Sequence, residues 1–175
     1  MAGWDSYIND KLVALGYTHK EDAKRSISAV MNMFGDFHPE ETGSVNKVLC
    51  AILPILALSG TIPISFKGRS YHIPIMIQLL PDFPYEAPQV FVKPTSSRFI
   101  APSRYVDGTG RVSLPELRDW VNGCDHSVKV TRLMKKLRMV FGQSPPVYTC
   151  KSLQRVATTS TVTVVTKGTQ IKSCS

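Results

Sequence analysis

Four cysteines are the residues of this 175-residue chain that are best suited to nucleophilic or metal chemistry. They are Cys50, Cys124, Cys150 and Cys174, and no two of them form a Cys-x-x-Cys pair. Because no nearby histidine completes a zinc-binding spacing, we expect no metal and no other cofactor. Reduced thiols in a cytoplasmic protein are the simplest interpretation.

The chain carries no pattern of a secreted or membrane protein. Its start is mixed polar and aromatic, without the basic residues and apolar run of a signal peptide. The longest apolar stretch, Val48 to Leu58, contains Pro54 and is too short to span a bilayer. We therefore expect a soluble protein inside the cell.

Basic residues are concentrated at the C-terminal end. Positions 126–175 hold nine Lys or Arg and no Asp or Glu, whereas the remaining 12 basic residues are balanced by 13 acidic ones. Aromatic residues are not interleaved along this stretch as a base-stacking surface requires, so we expect no nucleic-acid partner. A solvated basic face is the simpler interpretation, and weak contact of the tail with an acidic membrane is the alternative.

Two helices are predicted before the rest of the domain. Positions 4–15 carry Trp4, Ile8, Leu12 and Leu15 at helical spacing, and Gly16 ends this N-terminal helix of segment 1–16. Thr18 and Glu21 then have the spacing of a capping box, which predicts the start of a second helix. Its buried face is predicted to contain Ala23, Ile27, Val30, Met31 and Phe34.

Strand-like segments follow the helices. Val48 to Leu58 is interrupted by Pro54, which predicts an edge strand, a bulged strand or two short pieces. Thr61 to Phe66 and Tyr71 to Leu80 are predicted strands joined by a short Gly-containing loop, and Gln89 to Lys93 is a third.

The last part of the domain reads as a loop over positions 94–110, a helix that Gly142 closes, and an extended segment over 144–148. The buried face of that helix is predicted to contain Val130, Leu133, Leu137, Val140 and Phe141. The order indicates an α+β fold with a largely antiparallel sheet. The basic, Ser/Thr-rich tail over 150–175 is expected to be disordered.

Several segments, in order along the chain, resemble UEV domains, the variants of ubiquitin-conjugating enzymes. The matching segments are 60–63, 66–75, 84–88, 92–97, 106–115, 140–142 and 145–148. The likeness spans a domain over 17–149 and is greatest to the tumour-susceptibility branch of the endosomal ESCRT-I complex. It implies a ubiquitin-conjugating-enzyme-like fold with N-terminal helices, a four-stranded antiparallel meander and a C-terminal helix.

The resemblance implies that this chain does not conjugate ubiquitin. Conjugating enzymes place a Cys nucleophile where this chain has Ser113, after Gly110-Arg111. They also carry an upstream His-Pro-Asn motif for the oxyanion, which is missing from Ser103 to Asp107. The alternatives are a cofactor subunit of an active conjugating enzyme and a weak enzyme that uses Ser113.

The resemblance also implies a groove for Pro-Thr/Ser-Ala-Pro peptides of the late-domain type, which are extended before they bind. The ligand's proline would be gripped by aromatic rings. His72 and Arg98 stand where relatives carry Asn and Met, and the Arg98 cation would favour ligands with acidic flanks. The positions that match the groove are Thr61, Phe66, Tyr71, His72, Pro74, Arg98, Val147, Tyr148 and Thr149.

A ubiquitin-binding surface is the second implication. Phe91 and Thr95 match contact positions on the sheet. The first hairpin, which protrudes and is polar in relatives, is here the apolar segment Val48 to Pro54. That segment is expected either to pack inward or to expose an apolar patch.

Together these features predict a non-catalytic adaptor in endosomal sorting of ubiquitinated cargo and in protein transport. Such a protein would be cytoplasmic and peripheral at endosomes, with peptides, ubiquitin and ESCRT-I subunits as partners. The sequence as given shows no coiled coil or assembly domain. It fits a fragment, a short isoform or a separate paralogue.

Overall fold

The computed structural model describes residues 2–46, 50–96, 98–120 and 126–148. Its elements in chain order are α1 Ala2–Ala14, α2 Lys20–Met33, β1 His38–Asn46, β2 Ala51–Phe66, β3 Arg69–Leu79, β4 Gln89–Val92, β5 Phe99–Ile100, α3 Pro115–Arg118, α4 His126–Gln143 and β6 Val147–Tyr148. Helices at the start, a four-stranded meander and a C-terminal helix confirm the predicted α+β order. The predicted disorder of the 150–175 tail concerns residues outside the described ranges.

The main sheet is antiparallel throughout, in the order β1-β2-β3-β4. The segments 48–58 and 61–66 were predicted as separate strands. Strand β2 continues from the first into the second without a break, so the predicted separation was wrong. Its residues 51–55 pair with β1 alone, and its residues 60–66 pair with β3 alone. Proline is tolerated where one side of a strand is unpaired, which explains how Pro54 and Pro63 fit into β2.

Two strands were not identified from the residue pattern, although the resemblance to UEV domains implied a four-stranded meander. Strand β1 is an edge strand rich in polar residues, so it lacks the apolar alternation that identifies a strand. The short strand β5 lies within the predicted loop over 94–110 and pairs with β6. Both strands depend on a tertiary partner rather than on their own composition.

The core lies between the sheet and helices α1, α2 and α4. All the apolar residues predicted for the buried faces of α2 and α4 are buried. In α1, Ile8 and Leu12 are buried, whereas Trp4 remains exposed. No helix in the described part of the chain is long and apolar enough to cross a membrane.

Tyr17, between α1 and α2, connects this core to the middle of the sheet through two hydrogen bonds. Its buried hydroxyl donates to the Leu79 carbonyl oxygen of β3 and accepts from the Leu56 N–H of β2 at 3.0 Å. Burial raises the pKa of Tyr17 to about 12. The phenol therefore stays neutral and serves as a structural bridge.

Two details of the helix ends differ from prediction. The Thr18 capping box is wrong: His19 occupies the N-cap position of α2 without a side-chain cap. The Thr18 hydroxyl instead donates to Asp82 at 2.8 Å, a tertiary partner that the sequence does not reveal. Helix α4 includes Gly142 and ends one residue later, at Gln143.

Candidate functional site

A groove of about 300 Å³ lies where the β2–β3 hairpin meets the β5–β6 pair. Three of its side chains are aromatic and one is a cation, so it offers apolar faces with a charged edge. Its lining residues are Phe66, Tyr71, Ile73, Arg98, Pro145, Val147 and Tyr148.

The hairpin side of the groove is built by a tight turn. Lys67 and Gly68 have φ angles of 51° and 74°, which closes the turn between β2 and β3. Phe66 is paired with Arg69 across the hairpin, and Tyr71 follows two residues later on β3. Since alternate strand residues share a face, Arg69, Tyr71 and Ile73 project from the same side.

The opposite wall is the β5–β6 pair. Phe99 is paired with Tyr148, and their ring centroids are 5.9 Å apart. The Ala101 N–H donates to the Pro146 carbonyl oxygen at 2.7 Å, which extends the pairing by one hydrogen bond. The Tyr148 side chain is still 53% exposed, so its ring is available to a ligand.

The structure brings together five of the nine predicted peptide-binding residues, namely those at positions 66, 71, 98, 147 and 148. Thr61, His72 and Pro74 lie beside the groove on β2 and β3 and do not line it. Thr149 lies outside the described residues.

Ile73 and Pro145 line the groove but were not predicted. The period-two spacing of Ile73 from Tyr71 was the signal available for the first. For the second, the signal was the proline pair just before Val147.

A polar cluster borders the groove. The Thr61 hydroxyl and N–H both donate to the Asp36 carboxylate, the N–H at 3.0 Å. The Thr61 hydroxyl oxygen is also 3.3 Å from His72 Nδ1. Arg98 Nη1 donates to the His72 carbonyl oxygen at 2.9 Å, which holds the guanidinium at the groove edge.

Asp107 stabilises the loop before Ser113, the position of the catalytic residue in conjugating enzymes, through three hydrogen bonds. Its Oδ1 accepts from the Thr109 hydroxyl at 2.6 Å and from the N–H groups of Thr109 and Arg111 at 2.8 and 3.0 Å. The hydrogen bond from the Thr109 hydroxyl is the main reason why the pKa of Asp107 is lowered. At Gly110, φ is +88° and a Cβ would lie 2.5 Å from the Val92 carbonyl oxygen, so the loop requires glycine.

Ser113 follows this loop with its side chain exposed. Its N–H donates to the Tyr105 carbonyl oxygen at 2.8 Å. Within the described ranges, no histidine or carboxylate forms a hydrogen bond with its hydroxyl. The same residues contain no cluster that could hold a metal ion.

A second candidate surface lies at the tip of the β1–β2 hairpin. Val45 and Ile52 are paired across the strands and are 70% and 73% exposed. The alternative that this hairpin exposes apolar side chains is therefore confirmed for Ile52. On the sheet, Phe91 is half-buried on β4, and Thr95 is exposed just after that strand.

The profile of the UEV domain family matches residues 11–149. The chain belongs to the UEV domain family. This family comprises the catalytically inactive variants of ubiquitin-conjugating enzymes. Over 94 residues the chain is 39% identical to the mouse tumor susceptibility gene 101 protein, a match that covers 54% of this chain and 23% of that relative. The chain thus spans about a quarter of the length of this relative.

Solved structures show the same fold. The UEV domain of yeast Vps23, solved with a Vps27 PSDP peptide, has a TM-score of 0.61 at 18% identity. That match covers 78% of this chain and 92% of the yeast chain. The Vps23 UEV domain solved with ubiquitin has a TM-score of 0.60 at 18% identity, with 78% and 94% coverage. The predicted ubiquitin-conjugating-enzyme-like fold is confirmed.

Proposed function

We propose that this chain is a non-catalytic UEV domain that binds Pro-Thr/Ser-Ala-Pro-type peptides and ubiquitin. The observation that carries the proposal is the groove in which the rings of Phe66, Tyr71 and Tyr148 surround an open space. A proline-rich segment is already extended, so it loses little conformational entropy when its ring enters such a slot.

The groove lies between two pairs of strands, so it can admit a short extended segment. The similar yeast Vps23 domain was solved with a PSDP peptide, in which two prolines flank two polar residues. By analogy, Tyr71 and Tyr148 would contact a proline of the ligand, and Val147 would contact its backbone. Thr61, His72, Pro74 and Thr149 remain proposed neighbours of the bound peptide.

Fluorescence anisotropy with a labelled Pro-Thr-Ala-Pro peptide tests the groove. We expect saturable binding with a dissociation constant between about 1 μM and 1 mM. Tyr71→Ala and Tyr148→Ala should each weaken it at least about tenfold, since buried aromatic anchors dominate such contacts. Tyr85→Ala, which removes an exposed tyrosine outside the groove, is the control and should bind like wild type. Equal binding by all four proteins would exclude the groove.

Ubiquitin would bind a separate surface made of the hairpin tip, Phe91 and Thr95. The exposed pair Val45 and Ile52 offers apolar area that is not covered by any described part of the chain. The similar Vps23 domain was solved with ubiquitin, which supports ubiquitin as a ligand. An NMR titration with ubiquitin that moved no peaks at millimolar concentration would exclude ubiquitin binding.

The absence of conjugating activity follows from Ser113. A neutral serine hydroxyl is a weak nucleophile without a base, and none is hydrogen-bonded to it among the described residues. Incubation with activating enzyme, ATP and labelled ubiquitin should leave the chain uncharged. A covalent adduct lost in Ser113→Ala would instead establish the weak-enzyme alternative. Stimulation of a partner conjugating enzyme would establish the cofactor alternative.

In the cell, this domain would act as a cytoplasmic adaptor at the endosome surface. Peptide and ubiquitin binding by one domain would connect sorting receptors with ubiquitinated cargo, and ESCRT-I subunits would be partners. A Dictyostelium ESCRT-I complex subunit, tsg101, is 25% identical over 109 residues, and this similarity supports ESCRT-I as the setting of the domain. Colocalisation of the tagged chain with endosomal markers, lost on Tyr148→Ala, is the corresponding test.

A further inference from the structure

Three cations lie in or next to the aromatic groove. Arg98 is part of its lining. The Lys67 Nζ lies over the Phe66 ring, 5.2 Å from the ring centroid. Arg69 is paired with Phe66 and lies two residues before Tyr71, so it projects on the groove side about 7 Å from that residue.

Among the residues that the structure describes, these three cations form no salt bridge with an acidic side chain. The salt bridges found in the described ranges involve Lys11, Arg25, Lys93 and Lys136, and none involves Lys67, Arg69 or Arg98. The carboxylate of Asp36, near His72, accepts two hydrogen bonds from Thr61 at Oδ2 and forms no salt bridge with Lys67, Arg69 or Arg98. The groove therefore combines apolar faces with three nearby cations that form no ion pair in the described residues.

Arg98 is held in a way that leaves it able to bind a carboxylate. One of its five N–H donors is used by the His72 carbonyl oxygen at 2.9 Å. This bond fixes the guanidinium at the groove edge, so less side-chain entropy is lost when a ligand docks. The remaining donors can form the paired hydrogen bonds that guanidinium makes with carboxylates.

We propose that this groove selects proline-containing peptides that carry an acidic side chain beside the proline core, with Arg98 as the main selectivity residue. The proposal rests on the proposed peptide binding and adds the charge of the ligand to it. The aromatic slot binds the proline, and the rim of Lys67, Arg69 and Arg98 binds the neighbouring carboxylate. A neutral peptide keeps the first contact and lacks the second.

The test uses three labelled peptides that share a Pro-Thr-Ala-Pro core and carry two Glu, two Gln or two Lys flanking residues. Binding of the Gln peptide, lost in Tyr148→Ala, tests the peptide groove itself. The ratio of Glu-peptide to Gln-peptide affinity tests the selectivity. At low ionic strength we expect a ratio of about five, and at about 0.5 M salt a ratio near one, because salt screens exposed charges. The Lys peptide should bind more weakly than the Gln peptide.

Variants locate the source of the ratio. Arg98→Gln should reduce the ratio to about two or less, while Arg98→Lys should give an intermediate ratio, because the charge remains but the paired hydrogen bonds of the guanidinium are lost. Lys135→Gln removes an exposed cation of α4 that does not line the groove, and it should leave the ratio unchanged. A ratio of one for the wild type at low salt, with the Gln peptide still bound, would overturn the selectivity and leave the peptide groove intact. A ratio that falls equally in Lys135→Gln would also overturn it, because net charge alone would then explain the effect.

Discussion

The two ends of β2 differ although they belong to one strand. At its C-terminal end, residues 60–66 pair with β3 only, and the β5–β6 pair lies opposite, so the surface is concave and lined by rings. At its N-terminal end, residues 51–55 pair with β1 only and form a projecting hairpin with exposed Val45 and Ile52.

The difference shows how one long strand that extends past a neighbouring strand at each end can supply two kinds of binding surface. The groove end has walls on two sides, which suits an extended peptide. The hairpin end has exposed apolar side chains on two paired strands, which suits the surface of a folded protein. The middle of β2, where residues 56–59 pair on both sides, separates the two and should support both.

The largest expected effect comes from loosening this shared middle. Tyr17→Phe removes the hydroxyl that joins Leu56 of β2 to Leu79 of β3. Because it leaves buried backbone groups without partners, we expect the free energy of unfolding to fall by about 2 kcal/mol. Urea denaturation measures this, and Tyr148→Phe, at a residue that is 53% exposed, should change it by less than about 0.5 kcal/mol. If amide hydrogen exchange in Tyr17→Phe became faster only near the β1–β2 hairpin, the middle of β2 would not support both ends.

An intermediate effect should separate the two ends. Ile52→Ser removes an exposed apolar side chain from the hairpin tip, and we expect ubiquitin binding to weaken by about fivefold, or about 1 kcal/mol. Peptide affinity should not change, since Ile52 is not part of the groove. Titrations with both ligands measure this, with Val128→Ser on α4 as an exposed apolar control. If Ile52→Ser weakened peptide binding instead, the two ends would not be independent.

The smallest expected effect concerns the stability of the fold at acidic pH. The pKa of Glu40 on β1 is lowered, first by the hydrogen bond from Ser59 and further by Lys93. Because the folded pKa lies below the ordinary value of 4.5, this carboxylate stabilises the fold above that value and stops doing so as the pH falls through the lowered pKa. Between about pH 6 and pH 3, stability should therefore fall more steeply in wild type than in Glu40→Gln. Parallel pH profiles from denaturation curves would rule out this contribution.

Much of the fold was predictable because burial leaves a pattern. The buried stripes of α2 and α4 and the hairpin at Gly68 were identified from spacing and turn chemistry. Strand β1 was missed because an edge strand with polar residues has no apolar alternation. The continuity of β2 was missed because Pro54 suggests a break, and only the pairing shows that one side of the strand is free there.

The candidate site was less accessible to sequence reasoning. Tyr71 and Tyr148 are 77 positions apart, and only the β5–β6 pairing brings them to one groove. Resemblance to UEV domains supplied those positions, whereas composition and periodicity did not. Arg69 escaped notice because its role depends on pairing with Phe66 across the hairpin. Charge around a groove is a property of the folded surface rather than of any short segment.

The most direct test of peptide binding by the groove is an NMR titration of the isotope-labelled chain with an unlabelled Pro-Thr-Ala-Pro peptide. We expect the amide signals of Tyr71, Val147 and Tyr148 to shift progressively and saturate, while those of Val45 and Ile52 stay in place. Shifts that cluster at the hairpin tip, or no shifts at millimolar peptide from a folded protein, would contradict the assignment of the groove as the peptide site.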